Sequence, residues 1–492
     1  MKIDVSRKIP EHIETLVFMN QEEAEIKGPE ILGEELLQTI ESYSKLENYS
    51  FAPGSIISFT RMINKKKQVI ILCGMAKEEE TDPSRLRHYL ANCWREASKH
   101  KSRQVYLALG FELSIPEAHL GHLLSESALL SAYNFDKYRQ SPEAHEIQSI
   151  HLIYFAKTNR HLNRGILEGR IYAEATILAR NLVNEPANVM NPETLADHAK
   201  KAALQYGFSI DVYSMDKLKR LKMEALLAVG RGSKSEPKLI IMRYNGNPEK
   251  KNQTIALVGK GLTFDTGGYS IKPTDGMINM KSDMGGAAAV IGSMAAIASL
   301  KLKVNVVAIV AAAENMISST AYRPGDIITS MAGKTIEVVN TDAEGRLTLI
   351  DAIHYALEKE KADRILDIAT LTGAAVAALG KDYSAVLSND ADWMAKLQTA
   401  ADFSGEKFWE MPLHLPYKDL IKSEVADMKN SGGRLAGCIT AALFIREFIQ
   451  DKPWIHIDIA GGAMRDRAHG IDSYGATGVG VRLLTSLLRN ME

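Results

Sequence analysis

Apolar and polar residues alternate along this chain in two rhythms, short strand-like runs and longer stretches at helical spacing. In roughly the first third, residues 15–19, 55–62, 68–73, 104–109 and 149–155 read as strands. Between them, 83–100 and 116–138 carry apolar residues at helical spacing. Such alternation is what an α/β domain produces. A longer helical pattern then runs over 157–184 through Ile166, Ile171 and Ile177. It ends at Asn184-Glu185-Pro186, where the proline disfavours helix in the residue before it. Asn191-Pro192 opens the next helix, and the rhythm resumes with strands at 209–213, 239–244, 254–258, 304–311, 336–339, 365–369 and 454–459. Several are continuous apolar runs, as strands covered on both faces would be. The expected organisation is an N-terminal α/β domain over 1–156, a helical linker over 157–185 and a larger α/β domain over 186–492. The smaller domain shows no carboxylate cluster or phosphate loop and reads as an assembly or regulatory part.

Composition narrows the class. With 492 residues, 46% of them hydrophobic and 24% charged, the chain has the make-up of a soluble globular protein of two or more domains. A formal net charge of −1 argues against general nucleic-acid binding, which needs a basic face. The densest basic run, Lys65-Lys66-Lys67, reads as a solvated hairpin turn. Cys73, Cys93 and Cys438 sit among apolar or small neighbours without metal-type spacing and read as buried reduced thiols. His119, His122 and His145 are scattered and read as structural. The N-terminus lacks the apolar core of a signal peptide. No charge-free run of about 20 apolar residues is found, so no membrane span is expected. A cytoplasmic protein with neither nucleic acid nor membrane as partner is the reading.

The candidate chemistry lies in three stretches. Asn340-Thr-Asp-Ala-Glu-Gly-Arg-Leu347 follows the β-branched run 335–339 and precedes an amphipathic stretch. A strand continued through it would aim Asp342 and Glu344 at one spot, since residues two apart share a face. Two such carboxylates repel unless cations lie between them. The alternative is a helix start whose acids complement the dipole. Residues 258–273 leave a buried strand with four glycines, Lys260, Asp265 and Lys272. Their spacing matches neither common nucleotide-binding pattern, so the glycines read as a loop that bends tightly around a site. Asp283 precedes a run of small residues that should become a buried helix, and it is either a cap or a ligand. Four buried acids are prohibitively costly without compensation, and two divalent cations would balance them.

These stretches resemble the leucyl (cytosol) aminopeptidase family. The likeness lies in Lys260 to Asp265, Lys272-Pro273, Lys281-Ser-Asp283-Met-Gly-Gly-Ala and the octapeptide at 340–347. It extends to Asp367-Ile-Ala-Thr-Leu-Thr-Gly-Ala374, Ala426-Asp427 with Gly432-Gly433, His456 to Gly461 and Gly475 to Val481. The resemblance implies a catalytic domain with a central mixed, mostly parallel sheet flanked by helices. It implies two divalent metal ions per subunit, Zn2+ or Mn2+ with Mg2+ or Co2+ as alternatives. Lys260, Asp265, Asp283 and Glu344 would hold one, and Asp265, Asp342 and Glu344 the other. Lys272 and Arg346 would be catalytic, with bicarbonate at Arg346 as general base. Lys272, Met280, Asp283, Thr370, Leu371 and Gly373 would bind a peptide substrate, core packing being a competing role for Met280 and Leu371. Gly462-Ala463-Met464-Arg465 departs from the bulkier run of many members, which leaves side-chain preference open.

The activity implied is metal-dependent removal of N-terminal residues, leucine and other apolar ones preferred, by a homohexamer built as a dimer of trimers. A catalytically silent scaffold on the same fold and a metal phosphoesterase are the alternatives, the latter having no need of a lysine ligand.

Overall fold

The computed structural model describes residues 1–6, 10, 13–22, 32–77, 82–110, 115–141, 147–154, 159–250 and 253–492. His145, the end of the strand expected at 149–155 and the boundary expected at 156/157 lie outside them. The chain divides into two compact units, 1–174 with 467–473, and 175–466 with 474–492. The division falls inside one helix, Arg160–Asn184, after Glu174.

The first unit holds a six-stranded sheet made of β1 (Lys2–Ser6), β2 (Thr15–Gln21), β3 (Ile56–Ile63), β4 (Lys66–Met75), β5 (Gln104–Leu109) and β6 (Ser149–Ile153). Its order is β1-β6-β5-β2-β4-β3, parallel throughout except for the β3–β4 hairpin. That hairpin turns at Asn64 and Lys65, both with positive φ (49° and 64°), as a two-residue turn matched to strand twist requires. The hairpin turn expected for the lysine run is present, but it holds only Lys65, and the exposed Lys66 and Lys67 open β4. The helix expected over 116–138 occupies Glu117–Ala132, because Tyr133 turns extended. All three cysteines are buried and free.

The second unit is built on an eight-stranded mixed sheet. Its strands are β7 (Ser209–Tyr213), β8 (Lys238–Asn245), β9 (Thr254–Asp265), β10 (Asn305–Asn315), β13 (Arg364–Ala369), β14 (Ser384–Ser388), β15 (Phe408–Glu410) and β17 (Trp454–Asp458). They lie in the order β15-β14-β17-β13-β9-β10-β8-β7. The four central strands β17, β13, β9 and β10 are parallel. A second, three-stranded sheet contains β11 (Ile327–Thr329), β12 (Thr335–Glu337) and β16 (Met428–Lys429). The edge strand β15 and its neighbour β14 are too short and too mixed in character to stand out in the sequence.

Two expectations need correction. The glycine-rich stretch after Val258 is not a loop, for β9 continues through it to Asp265. Gly259 and Gly261 serve close packing inside the strand: a Cβ on Gly259 would lie 2.7 Å from the carbonyl oxygen of Gly286. The strand expected over 336–339 is only the short middle strand of the small sheet, spanning Thr335–Glu337.

The helix Gly285–Leu300 crosses the sheet with every residue from Gly285 to Ala298 buried. Glycine and alanine allow that approach, since a Cβ on Gly286 would sit 2.1 Å from the carbonyl oxygen of Ile368 on β13. By length and hydropathy, Thr274–Leu300 could cross a membrane, yet 89% of its most apolar window is buried inside the protein. Reading the sequence for charge-free runs passes over this segment because Lys281 and Asp283 interrupt it. Its surroundings are those of a core helix.

Gly286→Ala should cost about 1–3 kcal/mol or more, since overpacking against backbone cannot relax. Gly333→Ala, at φ +85° with open space around it, should cost only about 1–2 kcal/mol through its left-handed backbone. Urea midpoints compare the two, and equal losses would show that the helix-to-sheet approach is not limiting.

Candidate metal centre

The carboxyl ends of β9 and β13 meet the start of the Gly285–Leu300 helix, the place where open α/β sheets bind ligands. Lys260 and Asp265 both lie on β9, five residues apart. That odd spacing would put them on opposite faces of a regular strand. Pairing with β10 shifts register there, leaving Thr263 without a partner between Leu262 and Phe264. The extra residue inverts the alternation and returns the two side chains to one face.

Past β9 the chain turns at Gly267 (φ +83°) and Gly268 (φ +65°), both in the left-handed region. Lys272 comes back so that its Nζ lies 2.9 Å from Asp265 Oδ2 and 2.5 Å from Asp342 Oδ1. Asp283 follows the short turn Met280–Ser282 and caps nothing. Its Oδ1 accepts from Thr370 Oγ1 at 2.7 Å, and Lys260 Nζ approaches both of its oxygens at 2.7 Å. The same ammonium lies 2.9 Å from Glu344 Oε1 and donates to the Thr370 carbonyl oxygen at 3.0 Å.

Asp342 and Glu344 do not reach the site by strand alternation. They ride a turn after β12 in which Asn340 Oδ1 accepts from the Asp342 amide at 2.9 Å. Glu344 then stands at the start of the Gly345–Glu358 helix without capping it through its side chain. Oxygens of Asp265, Asp342 and Glu344 nevertheless all lie within 4.8 Å of one another.

The electrostatics are those of a crowded buried pocket. Burial pushes the Asp265, Asp283 and Asp342 carboxyls up, with neighbouring acids adding to it, Asp283 to about 8 and Asp342 to about 6. Burial acts the same way on Glu344, but Lys260 and Lys272 outweigh it and hold that carboxyl low. Both ammoniums lose hydration by burial, and their carboxylate partners more than offset this, raising both lysines. Burial lowers Arg346 to about 10. Glu344 Oε2 and Arg346 Nε are buried without a hydrogen-bond partner. Hard oxygen donors converging this closely, one of them unpartnered, fit divalent cations. Lys260 fits as a ligand only once deprotonated, as any metal-bound amine must be.

Among the proposed substrate-binding residues, Thr370 joins the charged cluster directly. Met280 is half-buried at the head of the turn that leads to Asp283. Leu371 is half-buried against the core and fixed by its amide on Asp458 Oδ1 at 3.0 Å, so packing is part of its role. Gly373 is exposed at the first position of the helix Gly373–Leu379, which Thr372 caps.

Sequence reading missed two supporting asparagines. Asn315 Nδ2 donates to Asp265 Oδ1 at 2.8 Å and to the Thr341 carbonyl oxygen at 3.0 Å. Asn430 contacts the 339–343 turn and Arg346. An uncharged amide far away in the chain carries no signal of its own; only its place between Asp427 and Gly432 pointed near it.

Gly345 sets a limit on the site. A Cβ there would meet Lys260 Cε at 2.5 Å and Nζ at 2.8 Å. Because the obstruction is a flexible side-chain end, Gly345→Ala should fold within about 1 kcal/mol of wild type. Displacing Lys260 should weaken Mn2+ binding about 10- to 100-fold in a titration. Unchanged Mn2+ affinity would show that Lys260 does not need this position.

The catalytic-domain profile of the cytosol aminopeptidase family matches residues 177–485, and its N-terminal-domain profile matches 16–142. A probable cytosol aminopeptidase of Clostridium perfringens (strain 13 / Type A) is 46% identical over 460 residues, covering 93% of each chain. Another, of Alkaliphilus oremlandii (strain OhILAs), is 48% identical over 441 residues, covering 89% of this chain and 87% of its own. Among solved structures, the bottromycin maturation enzyme BotP in complex with Mn superposes with a TM-score of 0.86 at 31% identity, covering 97% of this chain and 99% of its own. With both domain profiles matched and relatives this similar over nearly all of its length, the chain belongs to the cytosol aminopeptidase family and is an aminopeptidase.

Proposed function

We propose that this aminopeptidase hydrolyses the N-terminal peptide bond with two divalent metal ions, preferring leucine and other apolar first residues. The observation that carries the reading is the convergence of Asp265, Asp342 and Glu344 oxygens within 4.8 Å, with Glu344 Oε2 unpartnered. Lys260, Asp265, Asp283 and Glu344 would hold one ion; Asp265, Asp342 and Glu344 would hold the other. When bound, the ions would supply Lewis acidity to the scissile carbonyl and acidify the attacking water. Zn2+ and Mn2+ are the proposed metals, and the Mn complex of the BotP relative supports the second.

The chain's own residues do the rest. Lys272 is held as an ammonium by Asp265 and Asp342 and keeps some exposure. It can therefore donate to an oxyanion as charge develops on the substrate oxygen. Arg346, lowered only to about 10, stays protonated at neutral pH and cannot act as a base. Its unpartnered Nε is a donor suited to an anion, and bicarbonate held there would serve as general base. Met280, Thr370, Leu371 and Gly373 would receive the first side chain, the half-buried apolar pair favouring an apolar one. A cytoplasmic homohexamer, a dimer of trimers, completes the proposal by family likeness.

Leucyl-p-nitroanilide should turn over with added Mn2+ or Zn2+ and stop on chelation. No turnover of any amino-acid amide under either metal would sink the reading. Lys272→Ala should keep its metal while kcat falls about 100- to 1,000-fold, the usual cost of one lost oxyanion donor. Full activity in that variant would remove the oxyanion role. Sedimentation should give a hexamer, and a monomer at working concentration would contradict that part.

A further inference from the structure

The turn that carries Asp342 and Glu344 is irregular, and its backbone polar groups are satisfied largely from one distant side chain. β16 runs parallel to β12, pairing Ile336 with Met428 and Glu337 with Lys429. The Asn430 amide adds one more rung, donating to the Glu337 carbonyl oxygen at 3.0 Å. There the ladder stops, and the Asn430 side chain takes its place. Its Oδ1 accepts from the Val339 amide at 2.9 Å and the Asn340 amide at 3.3 Å. Its Nδ2 donates to the carbonyl oxygens of Asn340 at 2.7 Å and Ala343 at 3.4 Å. The carboxamide thus behaves as an extra peptide group, spanning the residues on either side of Asp342. In addition, the Asn430 carbonyl oxygen accepts from Arg346 Nη1 at 2.9 Å, and Asn430 is fully buried.

We infer that Asn430 is a positioning residue for the metal centre, fixing the Asp342–Glu344 turn with its side chain and Arg346 with its backbone carbonyl. This rests on the metalloaminopeptidase reading above. Only a primary amide at this length satisfies the turn. Aspartate offers no donors for the two carbonyl oxygens and would add a fifth carboxylate to the cluster. Glutamine carries the amide one methylene too far. Alanine leaves the Val339 and Asn340 amides and the Ala343 carbonyl oxygen without this partner and the Asn340 carbonyl oxygen with the Ala343 amide alone, at 3.3 Å, and polar groups shielded from water in that state are costly.

Asp427 provides the control. Its Oδ2 accepts from the Thr335 amide at 2.7 Å and Thr335 Oγ1 at 2.9 Å, zipping the same two strands at the end away from the site. A merely structural role would lower stability in Asn430→Ala but leave Mn2+ affinity and kcat as Asp427→Ala leaves them. The expected result is that Asn430→Ala lowers Mn2+ affinity of the metal-free protein and kcat about 10- to 100-fold each, the usual cost of a lost outer partner. Asp427→Ala, at an exposed side chain, should keep both within a few-fold and lose less thermal stability. Equal effects of the two, or wild-type Mn2+ affinity in Asn430→Ala, would overturn the inference. Should Asn430→Ala not fold, hydrogen exchange on the wild-type protein decides. Val339 and Asn340 amides should be protected like those of the β9 core, and exchange as fast as exposed turns would overturn it. Because Mn2+ affinity and exchange need no turnover, a failed peptidase assay would refute the proposed activity without touching this result.

Discussion

Four carboxylates, Asp265, Asp283, Asp342 and Glu344, share one largely buried pocket, and mutual repulsion together with lost hydration would open it unless positive charge lay between them. Lys260 and Lys272 provide that charge. Each reaches two acids, Lys260 bridging Asp283 and Glu344 and Lys272 bridging Asp265 and Asp342. Lys260 and Lys272 together hold Glu344 low against its burial, while burial and the neighbouring acids leave Asp265, Asp283 and Asp342 raised. Such a pocket is poised to exchange ammonium charge for metal charge, because oxygen donors are already gathered where cations lie.

The fold gathers them by two devices. The first is close backbone approach. Glycines at 259 and 286 let β9, β13 and the helix starting at Gly285 meet where a side chain would not fit, and Gly345 leaves the room that the Lys260 side chain occupies. The second is controlled irregularity. A bulge at Thr263, left-handed glycines at 267 and 268 and an asparagine-held turn at 339–343 aim side chains that regular elements would point elsewhere. A regular central sheet supplies rigidity, and the departures from regularity supply direction.

Much of this was legible in the residues. Periodicity located most of the longer strands of both units, since burial on one or both faces imposes its own pattern, but passed over β1, β11, β14, β15 and β16 and ended β9 too early. The hairpin at Lys65, the buried cysteines and the small-residue helix after Asp283 followed from local chemistry. The acids and lysines of the centre were recognisable as a set, because so many charges beside apolar runs have few other uses. What failed was local geometry. The glycine-rich stretch after Val258 looked like a loop, although its glycines answer to a crossing helix. Asp342 and Glu344 seemed to share a strand face, although β12 ends at Glu337 and a turn delivers them.

The sequence by itself thus determined which groups form the centre, the α/β character of both units and the family to which they belong, all properties carried by residue type and spacing. Only the tertiary structure decided how those groups meet. Apart from Asp265 beside Lys272, the partners behind the Thr263 bulge, the lysine bridges and the support from Asn315 and Asn430 lie from 23 to 91 residues away. Neutral amides leave no mark in a linear pattern, because their value lies wholly in which backbone groups the fold brings within hydrogen-bonding distance.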